Sequence, residues 1–377
     1  MRLVLATEKL VVQGRSFAGF PLLISAGKPV EPAQTFLWEL LTRSGRRQSK
    51  LTWEKYGRSL FDFFAFCEAN GADWRAEATG GLPSTIDWYR DWAKGEVKNT
   101  ARTINQRLGL VVRLYEWALK KGLISRLPFD YTEVWSGRPP GFLAHVANNK
   151  VQRPDVLLRE DQQPPEFLTR EQVQLCLADL TNETHYQMFA LMVRTGLRQV
   201  ECRTFPLKYV FDPARRKDLV RGQFIRLALK PRDMKLKFDR PRDIDVPYSL
   251  MEDLWWYSIR HRPKRARMSD SRGLSLFLTE KGLQYGQTSL TDIFERLEQR
   301  LGFRVRSHMA RHCYATYTLM SLRRSNYEGD PLLYIRDRLG HKNLASTSVY
   351  LHLINQLASE LILKHEAELE ELFAPKK

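Results

Sequence analysis

Features that would assign the 377-residue chain to several common protein classes are missing from its sequence. There is no run of about 18 apolar residues, which a membrane-spanning helix requires. The N-terminal stretch MRLVLATEKLVVQGRSF contains Glu8, Lys9 and Gln13, which interrupt the apolar core that a signal peptide needs. We therefore expect a cytoplasmic protein without a membrane partner.

Cysteine is scarce, and its spacing does not suit metal binding. The four cysteines, Cys67, Cys176, Cys202 and Cys313, lie far apart and form no CxxC pair. This pattern favours reduced thiols over a disulfide framework or a zinc site. The sequence also lacks an HExxH motif and an acidic cluster with the spacing of metal ligands. We therefore predict that the protein uses neither a metal ion nor another cofactor.

Acidic residues are in deficit relative to basic ones. The chain has 60 Lys and Arg but 43 Asp and Glu, which gives a formal net charge of +17 at pH 7. Its 43% hydrophobic and 27% charged residues are typical of a globular protein. A basic surplus can be an ordinary solvated surface, but one of this size more often indicates a polyanionic partner. The sequence shows no amphipathic membrane anchor, so nucleic acid is the favoured partner.

The length and the hydrophobic patterns predict two domains. Residues 1–45 show little period and are set apart as an extension of unknown role. Residues 46–135 contain TWEKYGRSLFDFFAFCEANG and NTARTINQRLGLVVRLYEWALKKGL, whose apolar residues recur at the three- and four-residue steps of amphipathic helices. Residues 136–165 are rich in proline, glycine and polar residues, which predicts a linker. The second domain then spans residues 166–377.

The second domain is predicted to be mainly helical with a small antiparallel sheet. Its first helix begins in LTREQVQLCLADL, where Thr169 can cap and Gln172 stands three residues later. The stretches at 223–230 and 242–247 alternate apolar and polar residues, as half-buried strands do. Helical patterns follow, and the last of them covers residues 353–373.

Two short motifs place cationic side chains near the ends of predicted helices. In RTGLRQVECRTFPL, Arg198 follows Gly196, a residue that commonly ends a helix. In HMARHCYATY, His308 and Arg311 stand three residues apart and therefore share one helical face. Taken singly, each motif is more simply a solvated surface feature.

Two further motifs add a lysine and a tyrosine. Lys237 lies in the polar turn between the two predicted strands, and Lys235 beside it is an alternative. In LGHKNLASTSVYLHL, His341 precedes Tyr350 by nine residues. A tyrosine among leucine and valine is usually a core residue, so this motif too is weak alone.

In combination, these segments resemble a known family. TGLRQVE, KFDRPRDIDVP, HMARHCYAT and LGHKNLASTSVYLH resemble, in order and spacing, the four catalytic boxes of the tyrosine recombinases, also called the phage integrase family. The helical stretch that starts at NTARTINQRL is similar to the core-binding domain of that family. The resemblance implies a mainly α fold, in which a helical, SAM-like core-binding domain and an α-rich catalytic domain with a small antiparallel β-sheet form a C-shaped clamp on DNA.

The resemblance implies a site-specific recombinase that cleaves and rejoins DNA through a 3′-phosphotyrosine and a Holliday junction. Tyr350 would be the nucleophile, and Glu201 would brace the first box. The other implied catalytic residues are Arg198, Lys237, His308, Arg311 and His341. The chemistry is consistent, because a tyrosine with a pKa near 10 needs nearby cations and a proton acceptor, and the leaving 5′-oxygen needs a proton donor. A type IB topoisomerase and a catalytically silent DNA-binding accessory protein remain as alternatives.

The resemblance also implies partners. The protein would act at the nucleoid on double-stranded recombination sites, as a homotetramer, with a DNA-bending accessory protein as a further candidate partner. The acidic C-terminal helix would either pass to a neighbouring subunit or dock on its own domain. Candidate DNA contacts are Arg102 and Arg107 in the first domain and Lys235 and Arg240 in the second.

Overall fold

The computed structural model describes residues 1–42, 49–76, 82–135, 150–160, 165–269, 273–325, 327–344 and 346–351. The chain divides into two compact units, Met1–Gln162 and Gln163–Lys377. Across the described residues, no helix is both long enough and apolar enough to cross a membrane. The predicted C-terminal helix at 353–373 lies outside the described residues.

The first unit is built on helices whose starts are set by local hydrogen bonds. Its helices are α1 (Glu31–Thr42), α2 (Lys50–Ala69), α3 (Thr85–Gly95) and α4 (Ala101–Lys120). The hydroxyls of Ser49, Ser84 and Thr100 accept hydrogen bonds from backbone amides of the first turns of α2, α3 and α4. Helices α2 and α4 follow the predicted amphipathic patterns closely, because both the caps and the apolar spacing are local signals.

The core of the first unit is aromatic. The ring of Phe63 lies 5.3 Å from that of Tyr89 and 6.2 Å from that of Tyr115, in edge-to-face arrangements that aromatic pairs prefer. Ile104 and Leu108 of α4 are fully buried in the same cluster. The apolar faces of α2, α3 and α4 therefore meet in one core.

The N-terminal segment, set apart as an extension in the sequence, packs into this core. Strand β4 (Pro21–Ser25) pairs antiparallel with β1 (Arg2–Leu5) and β5 (Lys28–Pro29), and β2 (Val11–Val12) pairs with β3 (Arg15–Ser16). Phe20 and Leu23 are almost completely buried among the helical residues. Gly57 of α2 permits this contact, because a Cβ there would lie 2.4 Å from the Cβ of Pro21.

A β-hairpin lies at the predicted linker. Strand β6 (Tyr131–Trp135) pairs antiparallel with β7 (Lys150–Pro154), so Thr132 lies opposite Arg153. Val156, just after the hairpin, is 1% exposed and belongs to the first unit's core. The described part of this region is thus folded onto the first unit.

The second unit is mainly helical. In the described part of this unit, the α-helices are α5 (Arg170–Asp179), α6 (Glu183–Thr195), α7 (Gln199–Arg203), α8 (Tyr248–Arg260), α9 (Arg262–Ala266), α10 (Ser289–Leu301), α11 (Ser307–Arg324) and α12 (Pro331–Leu339). Thr169 and Gln172 form the predicted capping box of α5. Helix α6 packs against α8 and α11, with Phe189 and Leu191 buried.

One antiparallel hairpin supplies the predicted sheet of the second unit. Strand β8 (Phe224–Leu229) pairs with β9 (Arg242–Pro247), with Leu227 opposite Ile244. Ile225 and Val246 face the core, while the connection between the strands makes a turn at Lys237–Asp239, where Phe238 has φ = 63°. The fold class predicted from the sequence, mainly α with small antiparallel sheets, is confirmed.

Burial of the N-terminal strands predicts a measurable effect on stability. Leu23→Ala removes a fully buried side chain from the first unit's core, so we expect the free energy of unfolding to fall by about 2–5 kcal/mol. Leu51→Ala, at a position that is 59% exposed, should change it by less than about 0.5 kcal/mol. Urea denaturation of both variants checks this. Equal effects would mean that Leu23 does not contribute to the core.

Candidate active site

The first functional segment begins where α6 ends. Gly196 terminates the helix with φ = 67°, in the left-handed region that glycine adopts readily. A Cβ at this position would lie 2.6 Å from Cδ1 of Tyr314 and 2.7 Å from Cδ2 of Leu339. Glycine is therefore required both for the turn and for the close packing of α11 and α12. The turn places Arg198 directly before α7.

A buried carboxylate holds Arg198 in place. Glu201 is fully buried, and its Oε2 accepts a hydrogen bond from the backbone amide of Arg198 at 2.8 Å. Its Oε1 accepts one from Nη1 of the same arginine at 3.1 Å. Arg242 of β9 donates Nη1 to Oε1 at 2.9 Å and Nη2 to Oε2 at 2.6 Å. One carboxylate thus ties the start of α7 to the β-hairpin.

The two arginines keep this carboxylate charged. Burial by itself raises the pKa of Glu201, but the hydrogen bonds and charge of Arg242, together with Arg198, outweigh it and lower the pKa to about 2. Glu201 is therefore ionised at neutral pH. Arg242 completes the network and was not singled out from the sequence.

Arg311 lies on α11 and is 2% exposed. Its Nη1 donates to the carbonyl of Gly196 and its Nη2 to the carbonyl of Leu339, both at 2.6 Å. These carbonyls lie at the C-terminal ends of α6 and α12, where the helix dipole is negative. Burial and the nearby charge of Arg198 lower the pKa of Arg311 to about 9, which leaves the side chain protonated at neutral pH.

Tyr350 is buried between two imidazoles. It lies in the helical residues 346–351, is 1% exposed, and its hydroxyl oxygen is 2.9 Å from Nδ1 of His312. The ring of His341 lies nearly parallel to the tyrosine ring, 6.5 Å away. His341 is itself oriented by a 2.9 Å hydrogen bond between its Nδ1 and Oγ1 of the buried Thr347. His312 was not among the residues predicted for the site.

The histidines of the site are held neutral. Burial, with the charges of His308 and Arg311, lowers the pKa of His312 to about 4. Burial, with the charges of Arg311 and Arg198, lowers that of His341 to about 3. The pKa of His308 is also lowered, by burial and then by Arg311 and the other cations. At neutral pH, the imidazoles therefore act as hydrogen-bonding groups and potential proton acceptors.

A cavity of about 570 Å³ opens beside these residues. Arg198, Lys237, Arg240 and His341 contribute to its wall. In all, seven cationic side chains and two carboxylates line it: Arg198, Lys230, Lys237, Arg240, Arg242, Arg336 and Arg338, with Asp243 and Asp337. A cleft with this excess of positive charge concentrates anions.

Asp245 fixes the hairpin that carries Lys237. Its carboxylate is buried and accepts hydrogen bonds from the hydroxyl of Tyr334 and from Nε of Arg338, both on α12. Nε of Arg242 donates to the backbone carbonyl of Arg338 at 3.0 Å. These three hydrogen bonds connect the hairpin to α12 close to the cavity.

The remaining predicted residues are placed as follows. The backbone amide of Lys235 donates to Thr204, and its side chain is exposed and does not line the cavity. In the first unit Arg102 is exposed, whereas Nη1 of Arg107 donates to Asp62 at 2.6 Å. Their contacts with DNA stay predictions. No group of three or more potential metal ligands is found among the described residues.

Comparison with known proteins places the chain in a family. A family model described as "Phage integrase family" matches residues 166–356, just over half of the chain. The chain belongs to the phage integrase family. The match spans every residue of the candidate site described above. The resemblance inferred from the four sequence boxes is thereby confirmed.

Curated relatives of the phage integrase chain are distant but extend over most of its length. It is 21% identical over 337 residues to tyrosine recombinase XerC of Bacillus pumilus, covering 85% of this chain and 92% of the relative. It is 24% identical over 240 residues to a tyrosine recombinase of Pseudothermotoga lettingae, covering 63% of this chain and 70% of the relative.

Two solved structures share its fold. The XerH site-specific recombinase bound to palindromic difH substrate is 16% identical, with a TM-score of 0.56. The match covers 83% of this chain and 80% of the XerH chain. The Tn1549 transposon integrase in complex with a circular intermediate DNA is 18% identical, also with a TM-score of 0.56, and covers 85% and 94% respectively.

The buried ion pair predicts a stability effect. Arg242→Ala leaves Glu201 with a single cationic partner, so we expect the free energy of unfolding to fall by about 3–5 kcal/mol. Arg216→Ala removes an exposed arginine that pairs with Asp218, and should have a much smaller effect, because solvent screens an exposed ion pair. Urea denaturation followed by circular dichroism measures both. Similar losses in the two variants would contradict the bracing role of the pair.

The neutral histidines predict a dependence of stability on pH. His312 has a pKa of about 4 in the folded chain, against about 6.5 for an unperturbed histidine. Between these values the unfolded chain binds more protons than the folded chain, so the free energy of unfolding must fall as the pH is lowered from about 7 to 4. His312→Asn removes this titration, so its plot against pH should be flatter than that of the wild type. Parallel plots would show that His312 protonates equally in both states.

Proposed function

We propose that the protein is a site-specific DNA recombinase in which Tyr350 attacks a DNA phosphodiester. The attack would form a 3′-phosphotyrosine and release a 5′-hydroxyl, and a 5′-hydroxyl from a second site would then reverse the step through a Holliday junction. One observation carries the proposal. Segments that are far apart in sequence meet at this site. The charges of Arg198 and Arg311 act on the Tyr350 hydroxyl, and His312 contacts it. Lys237 lines the cavity of the site together with Arg198 and His341.

The arginines would bind the phosphate. Arg198 is partly buried and held by Glu201, while Arg311 is almost fully buried and held by two carbonyls. Both side chains are therefore oriented before DNA arrives, and a preorganised cation stabilises developing charge more than a mobile one. Arg311 uses one hydrogen on each Nη for the carbonyls, which leaves its other donors for a non-bridging oxygen.

Lys237 would protonate the leaving 5′-oxygen. It lies at the cavity with Arg198 and His341, and its charge contributes to the lowered pKa of His341. Lys235 lies outside the cavity wall. These placements support Lys237 as the acid. Two of the three histidines of the site, His308 and His341, would hydrogen-bond the phosphate.

Tyr350 must lose its proton during the attack. Burial raises the pKa of its hydroxyl to about 12, although the charges of Arg311 and Arg198 act in the opposite direction. The residue is therefore a neutral phenol at pH 7, and a neutral phenol is a poor nucleophile. Cleavage requires a proton acceptor at the hydroxyl as well as the arginines at the phosphate.

The two units would divide DNA binding and catalysis. We assign the core-binding role to the first domain, residues 46–135, and catalysis to residues 166–377, connected by residues 136–165. Exposed Arg102 on α4 is a candidate phosphate contact, whereas Arg107 is already paired with Asp62 within the unit. Synapsis would use four subunits on two double-stranded sites, and an accessory DNA-bending protein would assist it.

Covalent capture of DNA tests the proposal. Wild-type protein is mixed, in EDTA, with a pool of nicked duplexes of randomised central sequence. The short fragment beside the nick is lost after cleavage and traps the adduct. We expect a protein–DNA band on a denaturing gel, because the cavity supplies its own positive charge, and the captured strands reveal the preferred sequence. Tyr350→Phe should give no band, while Tyr327→Phe, which alters an exposed tyrosine, should behave as the wild type.

The arginine and lysine variants refine the test on the recovered duplex. Arg198→Ala and Lys237→Ala should each slow adduct formation by roughly 10²-fold or more, and Lys235→Ala should not. The absence of an adduct despite tight binding would contradict the proposal and leave a DNA-binding protein. Adducts without strand exchange between two duplexes would indicate a topoisomerase-like enzyme.

A further inference from the structure

His312 has a specific relation to the proposed nucleophile. It follows Arg311 on α11 and stands four residues after His308, so it lies on the same face of the helix as that histidine. Its Nδ1 lies 2.9 Å from the hydroxyl oxygen of Tyr350, and the two ring centroids are 5.6 Å apart. This distance is within the range at which a general base takes a proton.

The other histidines are arranged differently. Nδ1 of His341 is hydrogen-bonded to Oγ1 of Thr347, and its ring lies nearly parallel to that of Tyr350, with the ring centroids 6.5 Å apart. The ring of His308 stacks on that of His312, 6.1 Å away. In the described residues, His312 is the side chain whose nitrogen contacts the Tyr350 hydroxyl.

We propose that His312 is the general base of DNA cleavage, with the proton of the neutral ring on Nε2 and the lone pair of Nδ1 accepting the Tyr350 hydroxyl. The inference rests on the proposed function. As the bond between Oη and phosphorus forms, the Oη proton passes to Nδ1 of His312. The bond from phosphorus to O5′ breaks at the same time, and O5′ takes a proton from Lys237. Rejoining runs the same transfers in reverse.

A weak base suffices for this transfer. His312 is neutral at pH 7, because burial and its cationic neighbours lower its pKa. The phenolic proton becomes strongly acidic only as Oη bonds to phosphorus, so the base is needed in the transition state and not before. The anionic phosphate would also bring negative charge towards the site and make the imidazole a better acceptor.

The experiment uses the full chain and the duplex recovered by covalent capture, with His312→Ala and His312→Asn. The asparagine variant keeps a hydrogen-bond acceptor near the position of Nδ1 but cannot serve as a base. Both variants should form the adduct roughly 10²-fold more slowly while binding the duplex as tightly as the wild type. His185→Asn is the matched control, because His185 is a largely buried histidine that contacts a different tyrosine, Tyr285.

A second substrate distinguishes removal of the Tyr350 proton from protonation of the leaving group. In a duplex with sulfur at the bridging 5′ position, the leaving group no longer needs protonation, so Lys237→Ala should regain the adduct. The His312 variants should stay slow, because their defect concerns the nucleophile. Recovery of His312→Ala on this substrate would move its role to the leaving group and overturn the inference. A wild-type rate for His312→Asn would reduce the residue to a positioning role, and a wild-type rate for His312→Ala would remove any role.

Failure of the inference is separate from failure of the proposed function. If the wild type forms no adduct where Tyr350→Phe also forms none, the recombinase proposal itself fails. If the wild type and the His312 variants form adducts equally fast, only the assignment of the base fails. Circular dichroism of His312→Asn, whose side chain is close in shape to imidazole, confirms that a slow variant is folded.

Discussion

The buried carboxylate of Glu201 is the constraint on which the rest of the site depends. A fully buried charge is tolerated only when it is paired and hydrogen-bonded, so Arg198 and Arg242 both stabilise the folded second unit. Arg198 belongs to the turn after α6 and Arg242 to the β-hairpin. Arg242 also reaches the backbone of α12 at Arg338. A single acidic side chain therefore aligns three of the segments that form the cavity.

The concentration of positive charge at the site destabilises the folded chain when no anion is bound. Arg198, Arg311 and Lys237 lie close enough to lower the pKa of the same histidines, and they repel one another wherever the surroundings are poorly screened. Carbonyls at two helix ends and the carboxylate of Glu201 offset part of this repulsion. A bound phosphodiester would offset more of it, so under the proposed function the arrangement that favours attack on the phosphate would also favour binding of the DNA backbone. The neutral imidazoles add hydrogen bonds to this site without adding charge.

The sequence predicted those features that depend on neighbouring residues. The cap at Thr169, the amphipathic helices and the hairpin strands all follow from the spacing of neighbouring residues, and the structure confirms them. Contacts between distant residues were not predictable in this way. The pairing of Glu201 with Arg242 and that of His312 with Tyr350 join residues about 40 positions apart. The N-terminal strands were not predicted, because the apolar residues around the buried Phe20 and Leu23 follow no regular pattern.

Arg311 constrains the number of residues between the end of α12 and Tyr350. Its guanidinium joins the last carbonyl of α12, at Leu339, to the turn at Gly196, and the tyrosine that lies beside it follows Leu339 by eleven positions. His341 and Thr347 are hydrogen-bonded to each other within that interval, so contacts at both ends and in the middle fix its length. An insertion or a deletion of one residue there would rotate the helical turn of Tyr350 by about 100° and carry the hydroxyl away from the arginines. The exposed stretch at residues 214–223 carries no such requirement, and variation in length among related chains should concentrate there.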